Sequence, residues 1–339
     1  MPPVKYLFVL TSSPKDFYCE QTLVAIASLR VHNPGAFVTI LTDDKTAATL
    51  TAGSRAALKE SVDELKVVTL DEKFTPMQRS RYLKTSMRNQ VDGDFLFLDS
   101  DIAVVDDLSI PDEWRGGIYA VLDFHTNLSK AINRKKVLNN ATRLGFSPIL
   151  NDKLFNSGAI FVADTPEMHR FFEKWHELWL ECVSKGFSFD MASFAQTDFV
   201  FNYIIKEMPG GWNCQLAYGN RFLPTAKVLH FFGSRIIDTC GRKVPESMNL
   251  FLPKILRKDF YTNLKNLTVK VYENKSISIN EYYDDVIAHA KDAFVFQTKK
   301  TGAAGAYIIR SYAFAKSLAW LYKNIPVLVK PLEIIGKLF

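Results

Sequence analysis

Two aspartates at the end of an apolar run are the residues of this sequence best placed to do chemistry. The segment FLFLDSDI brings the apolar residues Phe95–Leu98 directly before Asp99 and Asp101. Side chains two residues apart in an extended segment point to the same face. Two adjacent carboxylates repel each other unless a cation lies between them. A divalent ion that prefers oxygen ligands, Mg²⁺ or Mn²⁺, would suit such a pair and keep positions open for phosphate oxygens.

The Asp-Ser-Asp sequence also permits two other interpretations. It is common as a simple turn after a strand. A hydrophobic strand followed by Asp-x-Asp-x-Thr is typical of haloacid-dehalogenase-type phosphatases, in which the first Asp is the nucleophile. This chain has Ala103 where that pattern has Thr or Val, and no convincing acidic pair further along the chain completes it.

Alternating strand-type and helix-type segments surround the pair and predict an α/β fold. Apolar runs at Lys5–Leu10, Phe37–Leu41, Lys66–Leu70 and Asp94–Leu98 alternate with helical stretches at Glu20–Val31, Ala47–Glu60 and Met77–Val91. This alternation indicates a parallel sheet that is buried on both faces. In such sheets ligands bind outside the carboxyl ends of the strands. We therefore expect one crevice to be lined by Thr11–Ser13, Asp43–Asp44 and Asp99–Asp101.

The later segments complete a predicted catalytic domain over residues 1–250. The pattern predicts strands at Gly117–Leu122, Leu154–Val162, Gln215–Tyr218 and Lys227–Phe231, and helices from Pro166 to about Ser184 and from Ala192 to Glu207. Residues 251–339 are predicted to form a basic, mainly helical appendage.

Five segments, in order, resemble the GT-A glycosyltransferases, in particular family eight, which includes glycogenin and bacterial lipopolysaccharide galactosyltransferases. The segments fall within about residues 4–240 and read FLFLDSDI, AVLD, FNSGAIFV, TDFVFNY and LHFFGS. The resemblance implies a Rossmann-like GT-A fold, with a mixed, mainly parallel central sheet flanked by helices. It also implies transfer of a hexose from a nucleotide-diphosphate sugar, expected to be a UDP-sugar, with retention of the anomeric configuration.

The resemblance further implies the ligands of a metal ion. In the family, the Asp-x-Asp carboxylates and a His in a His-x-x-Gly segment hold Mn²⁺ or Mg²⁺, which implies Asp99, Asp101 and His230 here. A hydrogen-bonded structural role is the alternative for a His in an apolar segment. The family segment continues into Lys-Pro-Trp, whereas this chain reads Gly-Ser-Arg at Gly233–Arg235. Arg235 would then neutralise the leaving phosphate with a bidentate guanidinium.

The sugar-binding residues are also implied by the family motifs. Asn156 and Gly158 match the family's Asn-x-Gly, where an amide meets sugar hydroxyls and Gly lets the backbone approach closely. Asp123 resembles the donor-sugar Asp. Aligning the family's Asp-Gln-x-x-x-Asn on Asn202 places Asp198 near the reacting carbon, to stabilise an oxocarbenium-like centre or to contact the sugar. A strand-start turn is the alternative for Asn156, and a helix-surface acid for Asp198.

A basic helical segment, RSRYLKTSMRN, precedes the metal strand. It carries Arg79, Arg81, Lys84 and Arg88, of which Arg81 and Lys84 lie three apart on one face. The family places a donor-binding Arg here, and Arg81 is the best match. A solvated basic face is the alternative.

The nucleotide is expected at the first strand ends. Thr11, Ser12, Ser13 and Asp43 would meet the base and ribose, and Ser100 is assigned to the donor site as well. The sequence has neither a GxGxxG fingerprint nor a Walker phosphate loop. This disfavours a dehydrogenase or a P-loop enzyme.

The overall composition is that of a globular protein. Of the 339 residues, 47% are hydrophobic and 23% are charged. Four cysteines without CxxC spacing indicate reduced, mostly structural thiols. No secretory signal is recognised at the start, and no apolar run reaches the ~18 residues of a membrane span. We therefore expect a cytoplasmic protein.

The excess positive charge is concentrated in the tail. The net charge is +6, and Lys299–Phe339 has seven Lys or Arg residues against Glu333. Four of these lysines recur at every seventh position over Lys316–Lys337, so they lie near one face of a helix. Such a tail would lie on an anionic membrane surface, at the inner face of the membrane. Packing against the catalytic domain, or a homodimer contact, is the alternative. No nucleic-acid partner is expected.

Taken together, the residues predict a metal-dependent glycosyltransferase whose acceptor is a glycan or a lipid-linked molecule. Three alternatives stay open: an inverting transferase on the same scaffold, an Asp-x-Asp phosphatase, and a non-catalytic nucleotide-sugar binder.

Overall fold

The computed structural model describes residues 3–16, 18–131, 133–147, 151–215, 222, 225–230, 294–297 and 306–309. The chain divides into two compact units. The first comprises Met1–Ile26, Asn33–Ser100 and Leu108–Pro209, and the second comprises Ala27–His32, Asp101–Asp107 and Gly210–Phe339. The predicted boundary at residue 250 lies outside the described residues, so it stays a prediction.

Strands and helices alternate over most of the described chain. The strands are β1 (Lys5–Leu10), β2 (Phe37–Asp43), β3 (Glu64–Val68), β4 (Phe95–Leu98), β5 (Ile102–Val104), β6 (Ile118–Leu122), β7 (Phe155–Val162), β8 (Lys206–Glu207), β9 (Cys214–Gln215), β10 (Val228–His230), β11 (Phe294–Gln297) and β12 (Ala306–Ile309). The helices are α1 (Tyr18–His32), α2 (Asp44–Ala47), α3 (Gly53–Glu60), α4 (Pro76–Ser86), α5 (Arg134–Leu144), α6 (Pro166–Ser184) and α7 (Met191–Val200).

A seven-stranded sheet forms the centre of the first unit, in the order β3-β2-β1-β4-β7-β6-β8. Strands β3, β2, β1 and β4 run parallel to one another, and β8 runs parallel to β6. Strand β7 is antiparallel to both of its neighbours, β4 and β6. The predicted α/β architecture, with a mixed, mainly parallel sheet and flanking helices, is confirmed.

The core of this unit is built from aromatic side chains that join the sheet to α6 and α7. Every residue of β4 and β7 is buried. Phe97 and Ile160 share one apolar cluster with Trp175 of α6 and Phe194 of α7. The rings of Trp175 and Phe194 lie 4.5 Å apart between centroids. Burial of each large apolar side chain contributes about 1.5–3 kcal/mol, so this cluster fixes the ends of β4 and β7.

Local sequence signals fix where α4 begins. Thr75 accepts a hydrogen bond from the Gln78 backbone N–H, and the Gln78 side chain bonds back to the Thr75 N–H, which is a capping box. Pro76 occupies the first turn, where a missing N–H is tolerated. Because the start is fixed, the positions of the basic residues along α4 are fixed too.

Two of the predicted helices have wrong boundaries, and one helix was missed. The helix predicted over Ala47–Glu60 begins only at Gly53, because turns follow the end of α2 at Ala47 and Gly53 adopts φ 60° at the start of α3. The helix predicted to reach Glu207 ends at Val200 because Asn202 and Tyr203 have φ of 59° and 61°. Two consecutive left-handed residues do not continue a right-handed helix. Helix α5 was not predicted at all.

The second unit contains a three-stranded sheet in the order β5-β10-β9. Strand β10 is antiparallel to β5 and parallel to β9. Strands β11 and β12 form an antiparallel pair within the predicted appendage. The rest of residues 251–339 lies outside the described residues, so the predicted helical character of the appendage stays untested. Within the described part of the chain, no helix is long and apolar enough to cross a membrane.

Three of the four cysteines lie in the described residues, and all three are buried: Cys19, Cys182 and Cys214. Burial raises the pKa of the Cys182 thiol to about 11 and that of Cys214 to about 12. Since the thiolate is the reactive form, burial disfavours reaction at these two thiols. The reduced, structural role stays a prediction, which the burial of all three side chains supports.

Candidate active site

Strand β4 delivers Asp99 to the carboxyl edge of the parallel strands. The Asp99 backbone N–H donates to the Gly158 carbonyl at 2.8 Å, which continues the pairing with β7 by one residue. The Asp99 carboxylate accepts a hydrogen bond from Lys84 Nζ at 3.1 Å. Lys84 is only 3% exposed, so a buried cation already contacts the first predicted metal ligand.

In the second unit, Asp101 contacts His230. Strand pairing places His230 opposite Ile102, directly after Asp101. His230 Nε2 lies 3.3 Å from Asp101 Oδ1, and Nδ1 lies 2.8 Å from Asn213 Oδ1. A carbonyl oxygen only accepts hydrogen bonds, so with Asn213 in this orientation Nδ1 carries the hydrogen, and a neutral ring would present its Nε2 lone pair to Asp101. A lone pair facing a carboxylate oxygen is an arrangement that a bound cation stabilises.

Asp99, Asp101 and His230 together form a candidate metal-ligand group. The chain holds Asp99 two residues before Asp101, and Asp101 in turn contacts His230. One ligand atom from each side chain lies within 4.8 Å of the others. Two carboxylates and an imidazole fit a divalent ion such as Mn²⁺ or Mg²⁺, and three protein ligands leave positions for other oxygens. The structure thus brings the predicted metal ligands together.

Hydrogen bonds connect the predicted sugar-binding residues to Asp99. Asn156 Nδ2 donates to Asp123 Oδ1 at 2.9 Å, and the Gly158 N–H donates to Asn156 Oδ1 at 2.9 Å. The Gly158 carbonyl accepts from the Asp99 N–H at 2.8 Å. Asp123 and Asn156 are both buried. Four residues that were singled out by three separate motifs therefore form one hydrogen-bonded series.

Strained backbone follows Asp123. Phe124 and His125 have φ of 60° and 54°, in the left-handed region that non-glycine residues rarely occupy. Such conformations cost about 1–3 kcal/mol each and concentrate at functional sites, where the surrounding structure maintains them. This pair turns the chain sharply at the end of β6 and leaves Asp123 at the strand terminus.

The basic residues of the α4 segment are paired with carboxylates. The pairs are Arg79 with Asp43, Arg81 with Asp190, Lys84 with Asp99 and Asp190, and Arg88 with Asp164. Arg88 is fully buried, at 0% exposure. The alternative of a solvated basic face is therefore wrong. The two cations of one helical face, Arg81 and Lys84, meet at a single carboxylate.

That carboxylate, Asp190, was missed by the sequence analysis. It accepts from Ser157 Oγ at 2.8 Å and lies 3.0 Å from Arg81 Nε and 3.7 Å from Lys84 Nζ. Burial favours the neutral form, but Lys84, Arg81 and the Ser157 hydroxyl outweigh it and lower the pKa of Asp190 to about 2. Lys84 thereby lies between two carboxylates, Asp190 and Asp99. The available signal was an acid directly before a helix, a position that usually indicates only a cap.

The predicted nucleotide residues Ser12 and Ser13 belong to a polar network near the end of β1. Ser12 Oγ donates to Asp16 Oδ1 at 2.7 Å, and Ser13 Oγ donates to Asp16 Oδ2 at 2.9 Å. Arg55 Nη1 donates to Ser12 Oγ at 3.0 Å. The neighbouring Thr11 is half-buried. Asp16 and Arg55 were not predicted, because their side chains meet these hydroxyls from a loop and from a separate helix.

Asp43 caps a helix. Its Oδ1 accepts from the Thr46 N–H at 2.7 Å at the start of α2, and its Oδ2 pairs with Arg79. Asp43 is fully buried. Its predicted contact with the nucleotide, and that of the half-buried Ser100, stay predictions. Gly233 and Arg235, the predicted phosphate-binding residues, lie outside the described residues.

Asp198 is buried at the end of α7. Its Oδ1 accepts from the Ile205 N–H at 3.0 Å, and its backbone carbonyl accepts from the Tyr203 N–H at 2.6 Å. Burial raises the pKa of Asp198 to about 6. The alternative of a helix-surface acid is therefore wrong. The predicted role of Asp198 beside the reacting carbon stays a prediction.

Comparisons with known proteins give similarity to solved glycosyltransferase structures at low sequence identity. The chain is similar to the galactosyltransferase LgtC in complex with donor and acceptor sugar analogues, with 13% identity, a TM-score of 0.46, and coverage of 67% of this chain and 87% of that one. It is similar to apo mouse xyloside xylosyltransferase 1, with 15% identity, a TM-score of 0.44, and coverage of 67% and 97%.

A third similar structure is the glycosyltransferase GlyE of Streptococcus pneumoniae TIGR4. The identity is 16%, the TM-score is 0.43, and the match covers 67% of this chain and 55% of that one. No protein-family model matches the sequence. No curated protein matches it either.

Proposed function

We propose that the protein is a metal-dependent glycosyltransferase that takes a hexose from a nucleotide-diphosphate sugar, expected to be a UDP-sugar. One observation carries the proposal: the Asp99, Asp101 and His230 group is joined to Asp123 and Asn156 by the hydrogen-bonded series described above. A site that holds a divalent ion beside groups able to bind sugar hydroxyls suits a sugar linked to a diphosphate.

Each part of the site has a role in this proposal. Asp99, Asp101 and His230 would hold Mn²⁺ or Mg²⁺, which when bound neutralises the diphosphate of the leaving nucleotide. Lys84 and Arg81 add positive charge next to that position. Asp123 and Asn156 orient the sugar through its hydroxyls. Positioned charges of this kind stabilise the departing group in the transition state.

The reaction exchanges one bond at the anomeric carbon for another. The acceptor hydroxyl oxygen forms the new glycosidic bond and loses its proton, while the bond to the diphosphate oxygen breaks. A glycan or a lipid-linked molecule is the proposed acceptor. The resemblance to family eight supports retention of configuration, which NMR of the product anomer measures directly.

The first test is release of nucleotide from a panel of UDP- and GDP-sugars, with Mn²⁺, with EDTA, and with two variants. Asp101→Asn removes a ligand charge and is expected to lower both Mn²⁺ affinity and turnover by at least tenfold. Asp107→Asn is the matched control, because Asp107 is an exposed carboxylate on the same segment. Mn²⁺ binding is measured separately by electron paramagnetic resonance titration.

The outcomes separate the remaining classes of function. Mn²⁺-dependent release from one donor, lost in Asp101→Asn and kept in Asp107→Asn, supports the transferase and identifies the sugar. Unchanged Mn²⁺ binding in Asp101→Asn contradicts the metal site. Hydrolysis of an aryl phosphate without sugar-nucleotide turnover favours the phosphatase. Donor binding without turnover, with any acceptor tried, favours a non-catalytic binder.

A further inference from the structure

Helix α5 carries a cationic face that nearby acids do not neutralise. Between Asp123 and Asp152 the sequence has five Lys or Arg residues and no Asp or Glu. Lys135, Lys136 and Arg143 of α5 are exposed. Within the part of the chain that the structure describes, none of the three has a carboxylate partner at ion-pair distance, whereas the cations of the α4 segment are all paired.

The packing of α5 directs this face outward. Val137 and Leu138 pack against a small apolar cluster of Leu128, Ala131 and Leu154. At ~100° per residue, Lys136 and Arg143 lie on the side of the helix opposite to those two apolar residues, and Lys135 lies between the two sides. The apolar side of α5 is thus partly buried against this cluster, and the side that faces solvent is positively charged.

An exposed aromatic side chain belongs to the loop that contacts the end of this helix. Lys185 Nζ donates to the Leu144 carbonyl at 2.8 Å, and the Arg143 guanidinium lies 4.8 Å from the centroid of the Phe187 ring. Two residues further along the same loop, Phe189 is 64% exposed. The exposed Phe189 ring and the exposed cations of α5 therefore lie on two segments that contact each other.

We propose that Lys135, Lys136 and Arg143, together with Phe189, form a docking surface for the anionic headgroups of a membrane. Phosphate-bearing headgroups attract juxtaposed Lys and Arg side chains. An exposed Phe beside such cations enters the boundary between headgroups and acyl chains. A soluble polyanion would also bind the cations but would give Phe189 no role. This surface is separate from the predicted membrane contact of the tail.

The test is sedimentation of the full-length protein with phosphatidylcholine vesicles that contain about 30% phosphatidylglycerol, against vesicles of phosphatidylcholine alone. The Lys135→Glu/Lys136→Glu variant is expected to bind the anionic vesicles on the order of a hundredfold more weakly, since each cation near an anionic surface contributes about fivefold. The matched control is Lys59→Glu/Arg170→Glu, which reverses two exposed cations on α3 and α6 and changes the net charge equally.

Phe189→Ser tests the aromatic part and is expected to weaken vesicle binding about tenfold, whereas Phe37→Ser, at another exposed Phe, should leave it unchanged.

Heparin serves as the soluble polyanion. The proposal is overturned if Lys135→Glu/Lys136→Glu and Lys59→Glu/Arg170→Glu lose vesicle binding equally. It is also overturned if vesicle binding is unchanged in Lys135→Glu/Lys136→Glu. A soluble polyanion is the partner instead if vesicle binding is unchanged in Phe189→Ser and Lys135→Glu/Lys136→Glu loses heparin binding as well as vesicle binding. Vesicle binding is measured without substrate, so its failure leaves the proposed transferase activity untouched.

Discussion

At the scale of single residues, Asn213 controls the imidazole of the candidate metal group. It is buried and lies 2.8 Å from His230 Nδ1, so it orients the ring with Nε2 towards Asp101. Partners of this kind typically account for ten- to hundredfold of metal affinity. We expect Asn213→Leu, which keeps the approximate volume, to weaken Mn²⁺ binding by that factor in a calorimetric titration.

The control for this prediction is Asn139→Leu, an exposed amide on α5. It should bind Mn²⁺ as the unchanged protein does. If Asn213→Leu also binds Mn²⁺ with unchanged affinity, the imidazole does not depend on this contact for its orientation, and His230 loses its support as a ligand.

Asp198 makes stability depend on pH. Burial raises its pKa in the folded protein from 3.8 to about 6, so between these values the folded state holds more proton than the unfolded state. The contribution of Asp198 to the free energy of unfolding is therefore present below about pH 4 and is lost as the pH rises through 6. Two pKa units correspond to about 3 kcal/mol. We expect Asp198→Asn to increase the free energy of unfolding at pH 7.5 by up to this amount and to change it little at pH 4.

Urea unfolding at the two pH values measures this effect, and the Asn side chain keeps an oxygen for the Ile205 N–H. Asp198→Asn also tests the proposed role of Asp198 in sugar transfer. Greater stability with loss of donor turnover is the signature of a residue kept for catalysis at a cost in stability. Greater stability with full turnover would remove Asp198 from the proposed site.

At the scale of elements, the turn at residues 210–213 supports β10 and hence His230. The Gly211 carbonyl accepts from the Lys227 N–H at 2.8 Å, just before β10 begins. A Cβ on Gly211 would lie 2.0 Å from the Thr225 carbonyl oxygen, which is backbone and has to move. Gly211→Ala should therefore destabilise the protein by about 1–3 kcal/mol, as overpacking does.

Because the displaced backbone leads into β10, Gly211→Ala should also weaken Mn²⁺ binding. Gly35→Ala is the control, since nothing lies within 4 Å of a Cβ there. Thermal unfolding and Mn²⁺ titration of both variants check the prediction. A normal melting temperature in Gly211→Ala would show that the turn adapts more freely than its close packing indicates.

Elements and motifs differ in how far the sequence predicts them. Strand β4 is predictable because Phe95–Leu98 is an apolar run that ends in acids. Helix α5 is not, because two Asn residues and a Thr interrupt its apolar spacing. The roles of Arg81 and Lys84 are also unpredictable from local sequence, since their common partner Asp190 lies more than a hundred residues further along the chain.

At the scale of the whole molecule, Lys and Arg residues occur in two different environments. The chain carries a net charge of +6. On α4 the cations are directed inward and are offset by carboxylates around the candidate site. On α5 they are directed outward and meet solvent. Net charge alone therefore does not indicate where a protein meets an anionic partner; the location of the unpaired cations does.

The hydrogen-bonded series from Asp123 through Asn156 and Gly158 to Asp99 has a thermodynamic consequence. In the proposed enzyme, a sugar that moves the Asn156 amide would also move the backbone on which Asp99 is held. We therefore expect an ion bound at one end of the series to change the affinity for a sugar at the other. Linkage requires that the sugar change the affinity for the ion by the same factor.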